Sequence, residues 1–138
     1  MTGFQGGPML STVGPLAQTL AVGLGAACGG VLRWGVGLWL NARWAGFPLG
    51  TLVVNCVGGL FIGVALAWFE RRPDELWRAL WVTGVLGGLT TFSAFSVESL
   101  LLLQRGQWAL AAGHTLAHVL GALGCAAVGY RAAQALIA

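Results

Sequence analysis

Gly84-Val85-Leu86-Gly87-Gly88-Leu89-Thr90-Thr91-Phe92-Ser93-Ala94-Phe95-Ser96 lies in the middle of an apolar run covering about residues 76–103. The run is long enough for a bilayer crossing, which takes about 20 residues. Its centre is poor helix material, because two adjacent glycines are followed by two β-branched threonines. The stretches on either side, about residues 76–86 and 94–103, are each too short to cross alone. Two readings fit such a centre. One is a glycine kink with Ser and Thr hydroxyls bonded back to the helix. The other is a true break, tolerated at membrane depth only where it is buried or lines a cavity, with carbonyls suited to a cation such as Na⁺.

The rest of the chain agrees with a membrane setting. Of 138 residues, 57% are apolar, 23 are Gly and only 8% are charged. Soluble domains carry roughly 25% charge, so this chain cannot cover a water-facing surface. The same numbers exclude a disordered chain and a nucleic-acid binder built on basic clusters. Three further spans follow from the apolar runs, at about residues 17–40, 49–69 and 107–130. The fold class is therefore all-α, with four transmembrane helices per chain and an interrupted third. Residues 1–15 read as a flexible N-terminus, without the basic region of a signal peptide. Residues 16–132 form the membrane domain and 133–138 a C-terminal tail. Cys28, Cys56 and Cys125 lie far apart in apolar runs and read as small buried thiols.

Tryptophans mark the span ends. Trp39, Trp44, Trp68, Trp77, Trp81 and Trp108 sit where amphipathic rings prefer the interface, and Trp34 lies one turn deeper. All seven basic residues are Arg. Arg71, Arg72, Arg78 and Arg131 fall on one side; Arg43 and Arg105 fall on the other, with Arg33 near that end. A fixed topology wants a clear bias. This near balance fits either a weakly signalled single orientation or insertion both ways.

Small residues mark helix contacts. Gly113, Ala117, Gly121, Cys125 and Gly129 recur every four positions in the fourth span. Gly59 and Gly63 follow Asn55 in the second, and Gly25 and Gly29 lie in the first. Such stripes let membrane helices approach closely. Four short helices enclose little volume, so a pathway forms more readily between two copies.

Several polar side chains are candidates for function. Phe92, Phe95, Ser96 and Ser99 share a face, with Ser93 to one side. Hydroxyls donate hydrogen bonds and a phenyl ring has a positive edge, so this face could solvate a small anion without fixed charge. Simple packing is the plainer account of the two Phe. Glu98 is the only acid inside a span, either a functional group or one reaching back to the interface. His114 and His118, at i and i+4, fit hydrogen-bonded packing, a pore lining or a two-His metal site. As pore residues they would make conduction vary near about pH 6–7. No catalytic triad, cofactor fingerprint or metal motif appears, so an enzyme is not expected.

These motifs resemble the Fluc (CrcB) fluoride channels of bacteria. Gly29-Gly30-Val31-Leu32-Arg33-Trp34 is similar to that family's glycine-rich stretch ending in Arg-aromatic. Gly50-Thr51-Leu52-Val53-Val54-Asn55, with Gly58 and Gly63, matches its GTLxxN signature. Residues 87–98 match GGxTTFSTFSxE almost throughout. The resemblance covers about residues 20–131, all four spans.

The resemblance implies a passive, fluoride-selective channel that exports F⁻ across the bacterial inner membrane and confers fluoride resistance. It implies an antiparallel, dual-topology homodimer with a structural Na⁺ at its centre, held by the backbone carbonyls of Gly87 and Thr90. Fluoride would pass Phe92 and Phe95, with Asn55, Ser93 and Ser96 as donors. Arg33 would steady anions near the entrance, and Glu98 would belong to the polar track. Two departures stand out. Ala94 replaces a usual Thr, and His114 and His118 stand where the fourth span usually carries Tyr, Asn, Ser or Thr, with Ala122 and Ala126 following. The competing reading is a small dual-topology four-helix drug/proton antiporter. That class uses a carboxylate in its first span, where this chain has Arg33 and no acid.

Overall fold

The computed structural model describes residues 13–43 and 47–137. They are helical, with no strand among them. The first helix is Pro15–Asn41 and the second Leu49–Arg71. The third span runs Glu75–Gln104 in two pieces, and the fourth helix is Trp108–Ile137. All four are long and apolar enough to cross a membrane. The expected spans are thus present, with one boundary moved. The fourth helix continues through the region read as a C-terminal tail, because residues 131–137 contain no Gly or Pro to stop it.

The ends of these helices follow their sequences. Pro15 sits in the first turn of the first helix, where its missing N–H costs nothing. Asp74 caps the third span by accepting from the Trp77 N–H at 2.9 Å. Gly106, with φ of 70°, closes that span. The Gly106 N–H reaches the Leu103 carbonyl and the Gln107 N–H the Leu102 carbonyl, a turn only glycine adopts freely.

The helices pack as two pairs. The second lies along the fourth, and the first lies along the first half of the third span. Both contacts are backbone to backbone. A Cβ on Gly59 would lie 2.5 Å from the Ala122 carbonyl oxygen, and one on Gly84 would lie 2.9 Å from the Gly25 Cα. Residues 79–86 are wound as a π-helix along the contact with the first helix. The small-residue stripe of the fourth span holds only in part. Gly121 and Gly129 meet the second helix, but among the described residues nothing stands near Gly113. Steps of four drift around a helix of 3.6 residues per turn, so the far end of the stripe leaves the contact. Cys28 is exposed, unlike the half-covered Cys56 and Cys125, because it lies off the face that carries Gly25 and Gly29.

The helix ends meet as four antiparallel crossings require. Tyr130 donates to Glu70 at 3.0 Å, Arg71 donates to the Ile137 carbonyl, and Gln18 Nε2 reaches Glu75 at 3.4 Å. Arg72 stacks over Trp68 at this end, and Arg43 over Trp39 at the other. The described tryptophans are 45–69% exposed, as interface rings would be; Trp44 lies outside the described residues.

Candidate functional site

The third span is interrupted, two residues later than its glycines suggest. Gly87–Leu89 remains helical, and the chain straightens at Thr90 (ψ 155°) and Thr91 (φ −153°, ψ 120°) before helix resumes over Phe92–Gln104. Gly88 serves packing instead: a Cβ there would sit 2.9 Å from the Ala26 Cα, whereas one on Gly87 would find only the Val82 carbonyl oxygen, at 3.7 Å. Beyond the break, the chain leaves the first helix and packs on the fourth.

The break is held by side chains. Asn55 brackets Thr91, its Oδ1 accepting from the Thr91 N–H at 2.8 Å and its Nδ2 donating to the Thr91 carbonyl at 3.1 Å. Thr91 caps the resumed helix by accepting from the Ala94 N–H at 3.2 Å. Arg33 Nε donates to the Gly88 carbonyl at 3.0 Å, placing a cation at the C-terminal end of the first half. Thr90 donates back to the Leu86 carbonyl, and Gly58 leaves room for its methyl. These bonds answer the demand that unwound backbone in a membrane find partners.

Two carbonyls lose their usual donors here. In a continuous helix the Thr91 N–H would serve Gly87 and the Ala94 N–H would serve Thr90. Both amides are diverted, to Asn55 and to the Thr91 hydroxyl. Gly87 and Thr90 therefore fit a hard cation that takes carbonyl oxygens.

Phe92 and Phe95 open the second half, with ring centroids 5.3 Å apart. Phe95 is 9% exposed and Phe92 is 78% exposed. Both border a cleft of about 600 Å³ with Asn55, Thr91 and His118. A second cleft, of about 490 Å³, is bordered by Arg33, Thr51, Thr91, Ala94 and Glu98. Ser93 shares a hydrogen bond with Thr91 at 3.0 Å, and Ser96 donates to the Phe92 carbonyl at 2.8 Å. Of the expected polar face, then, Ser96 is turned back on its own helix.

Glu98 points inward. Its Oε1 accepts from Thr51 at 2.5 Å, and its Oε2 lies 3.3 Å from His114 Nε2. This settles against a side chain reaching for the interface. His114 is fully buried and His118 is 5% exposed. Phe95 stacks on His114 at 5.3 Å with an interplanar angle of 12°, and meets His118 at 4.9 Å. Thr51 and Ser99, the latter 3.0 Å from His114 Nδ1, complete the polar track. Thr51 was not singled out from the sequence. Its place one turn before Asn55, on one face of the second helix, is the signal that could have found it.

A family profile described as "CrcB-like protein, Camphor Resistance (CrcB)" matches residues 20–130. The chain belongs to this family. It is 50% identical over 119 residues to a protein of Aromatoleum aromaticum named "Fluoride-specific ion channel FluC", covering 85% of this chain and 91% of that one. A protein of the same name from Thiobacillus denitrificans is 49% identical over 113 residues, 80% of this chain and 91% of the relative. The Bordetella petrii protein of that name is 47% identical over 130 residues, 93% of this chain and 99% of the relative. The CrcB match thus spans every element that builds the break, its Asn55 bracket and the Phe95–His114–His118 stack.

Proposed function

We propose that this CrcB-family chain is a passive fluoride channel of the bacterial inner membrane, working as an antiparallel homodimer. The observation that carries the reading is the bracketed break. It sets Phe92, Phe95 and the Asn55 amide around one cleft, in a chain about half identical to relatives named for fluoride conduction.

Fluoride is small and strongly hydrated, and burying it bare would cost tens of kcal/mol. A pathway must replace water with donors, yet hold the ion weakly enough to release it. Asn55 uses one amide hydrogen on Thr91 and keeps a second to offer. Phe92 and Phe95 border the cleft, and the edges of their rings carry partial positive charge. Arg33 is engaged at Gly88 and borders the second cleft, so its charge acts from the side of the first. An inside-negative potential drives F⁻ outward by about 2.3 kcal/mol per 100 mV, so no coupled energy source is needed.

The second copy has a part to play. Phe92 is mostly uncovered on one chain, and a facing copy would complete the walls around it. The near-even Arg distribution supports insertion in both orientations. Gly87 and Thr90 would hold a structural Na⁺ between the copies, supplying fixed positive charge and joining the two broken helices. A drug/proton antiporter fits less well. The first helix carries Arg33 alone as a charge within the membrane, and that charge is spent on the third span.

Purified protein in liposomes loaded with KF, with a K⁺ ionophore added, tests this. Phe92→Ala or Phe95→Ala should remove most fluoride efflux while the dimer stays intact by size-exclusion chromatography. Wild-type efflux in both variants would take the rings off the pathway.

A further inference from the structure

We propose that Glu98, His114 and His118 form a binding site for a divalent first-row transition metal such as Zn²⁺, placed beside the fluoride pathway. The inference about flux rests on the channel reading; the metal site itself does not. Ligating atoms of the three side chains lie within 4.8 Å of one another. Three of their atoms are buried without a well-formed hydrogen bond: Glu98 Oε2 and His114 Nε2, which face each other at 3.3 Å, and His118 Nε2, which has no partner among the described residues. Unpaired buried polar atoms cost free energy, and such a set calls for something to satisfy it.

The surroundings prepare these atoms as metal ligands. His118 Nδ1 lies 3.0 Å from the His114 backbone carbonyl, which can only accept. The proton therefore sits on Nδ1, and Nε2 presents its lone pair. His114 Nδ1 is paired with the Ser99 hydroxyl, which accepts from it in the tautomer that frees Nε2, and Nε2 faces Glu98 Oε2. Thr51 donates to the other carboxylate oxygen and fixes its rotation. Hydrogen bonds of this kind orient metal-binding imidazoles and carboxylates in known sites. Phe95 lies against both rings and restricts their tilt.

Two imidazoles and one carboxylate suit Zn²⁺, Ni²⁺ or Cu²⁺ far better than the oxygen-seeking Na⁺, Mg²⁺ or Ca²⁺. Three ligands leave a coordination position open. His118 borders the cleft of the two Phe, and Glu98 borders the second cleft, so the ion would be reached from the pathway. A divalent charge there would hold F⁻ too tightly to pass, and bound metal would inhibit conduction.

The test uses the purified full-length protein, stripped with chelator and titrated with Zn²⁺ by calorimetry, with Co²⁺ absorption as a spectroscopic check. One Zn²⁺ per chain is expected, with visible Co²⁺ bands. His118→Gln and Glu98→Gln should each weaken binding by at least about 10–100-fold, the loss seen when even supporting residues are removed. Circular dichroism and size-exclusion chromatography establish that each variant folds. Absence of saturable binding, or wild-type affinity in both folded variants, would overturn the site. In fluoride-loaded liposomes, Zn²⁺ should slow efflux through the wild type, and the ratio with and without Zn²⁺ should approach one in His118→Gln, read against that variant's own efflux without Zn²⁺. Binding without any change in flux would overturn the inhibition. Zn²⁺ binding by a protein that carries no fluoride would sink the channel reading and leave the site standing.

Discussion

Asn55 is the residue on which the break depends. It satisfies both polar groups of the Thr91 backbone at once, and no helix neighbour could do so after the chain straightens. Asn55→Asp keeps an acceptor for the Thr91 N–H, loses the donor to its carbonyl and adds a negative charge. Fluoride efflux should fall to background in that variant; unchanged efflux would place Asn55 off the pathway. Asn55→Ala leaves both backbone groups unpaired, at about 1–3 kcal/mol each, and should lower the thermal midpoint of the purified protein clearly. Thr51→Val removes the donor to Glu98 at nearly constant volume. A loss of flux with the dimer preserved is expected, and full flux would mean that Glu98 does not need fixing.

At the scale of elements, the glycines divide into those that a neighbour's backbone touches and those it does not. Gly59 and Gly63 face carbonyls of the fourth helix, which cannot move aside as a side chain would. Gly59→Val should cost on the order of 1–3 kcal/mol through overpacking. No described residue lies within 4 Å of the position a Cβ would take at Gly23, so Gly23→Ala should be neutral or stabilising by up to about 1 kcal/mol. Thermal unfolding in detergent reads both, and equal effects would show that the second and fourth helices are not packed this closely. Much of this layer was legible from the sequence. Length, hydropathy and the Trp positions gave four spans with ends mostly within a few residues. The break was legible as a region, but not its residue. Gly87-Gly88 is weak helix material by propensity, yet the packed first helix holds it helical, and Asn55, 32 positions earlier than Gly87 in the sequence, decides where the chain straightens. Propensity is local, and that bond is not. The inward turn of Glu98 was equally hidden, because its partners Thr51 and His114 come from other helices.

For the whole molecule, the proposed channel needs two copies in opposite orientations. A single Cys placed in the charged turn, as Pro73→Cys in a background lacking Cys28, Cys56 and Cys125, should react with a membrane-impermeant thiol reagent in about half of the molecules. Labelling of all or none would establish one orientation. A dimer of this kind also explains how so few charges suffice. Most described charges sit in or near the end turns, and the cleft between Phe92, Phe95 and Asn55 is left to neutral donors. Neutral donors are the condition for fast passage of a strongly hydrated anion. Selectivity is therefore the central claim. Ion-selective electrodes on proteoliposomes loaded with KF or with KCl, each with a K⁺ ionophore, measure it most directly. Rapid release of F⁻ is expected, with Cl⁻ release no faster than from protein-free liposomes. Equal release of the two halides, or release of neither, would contradict it.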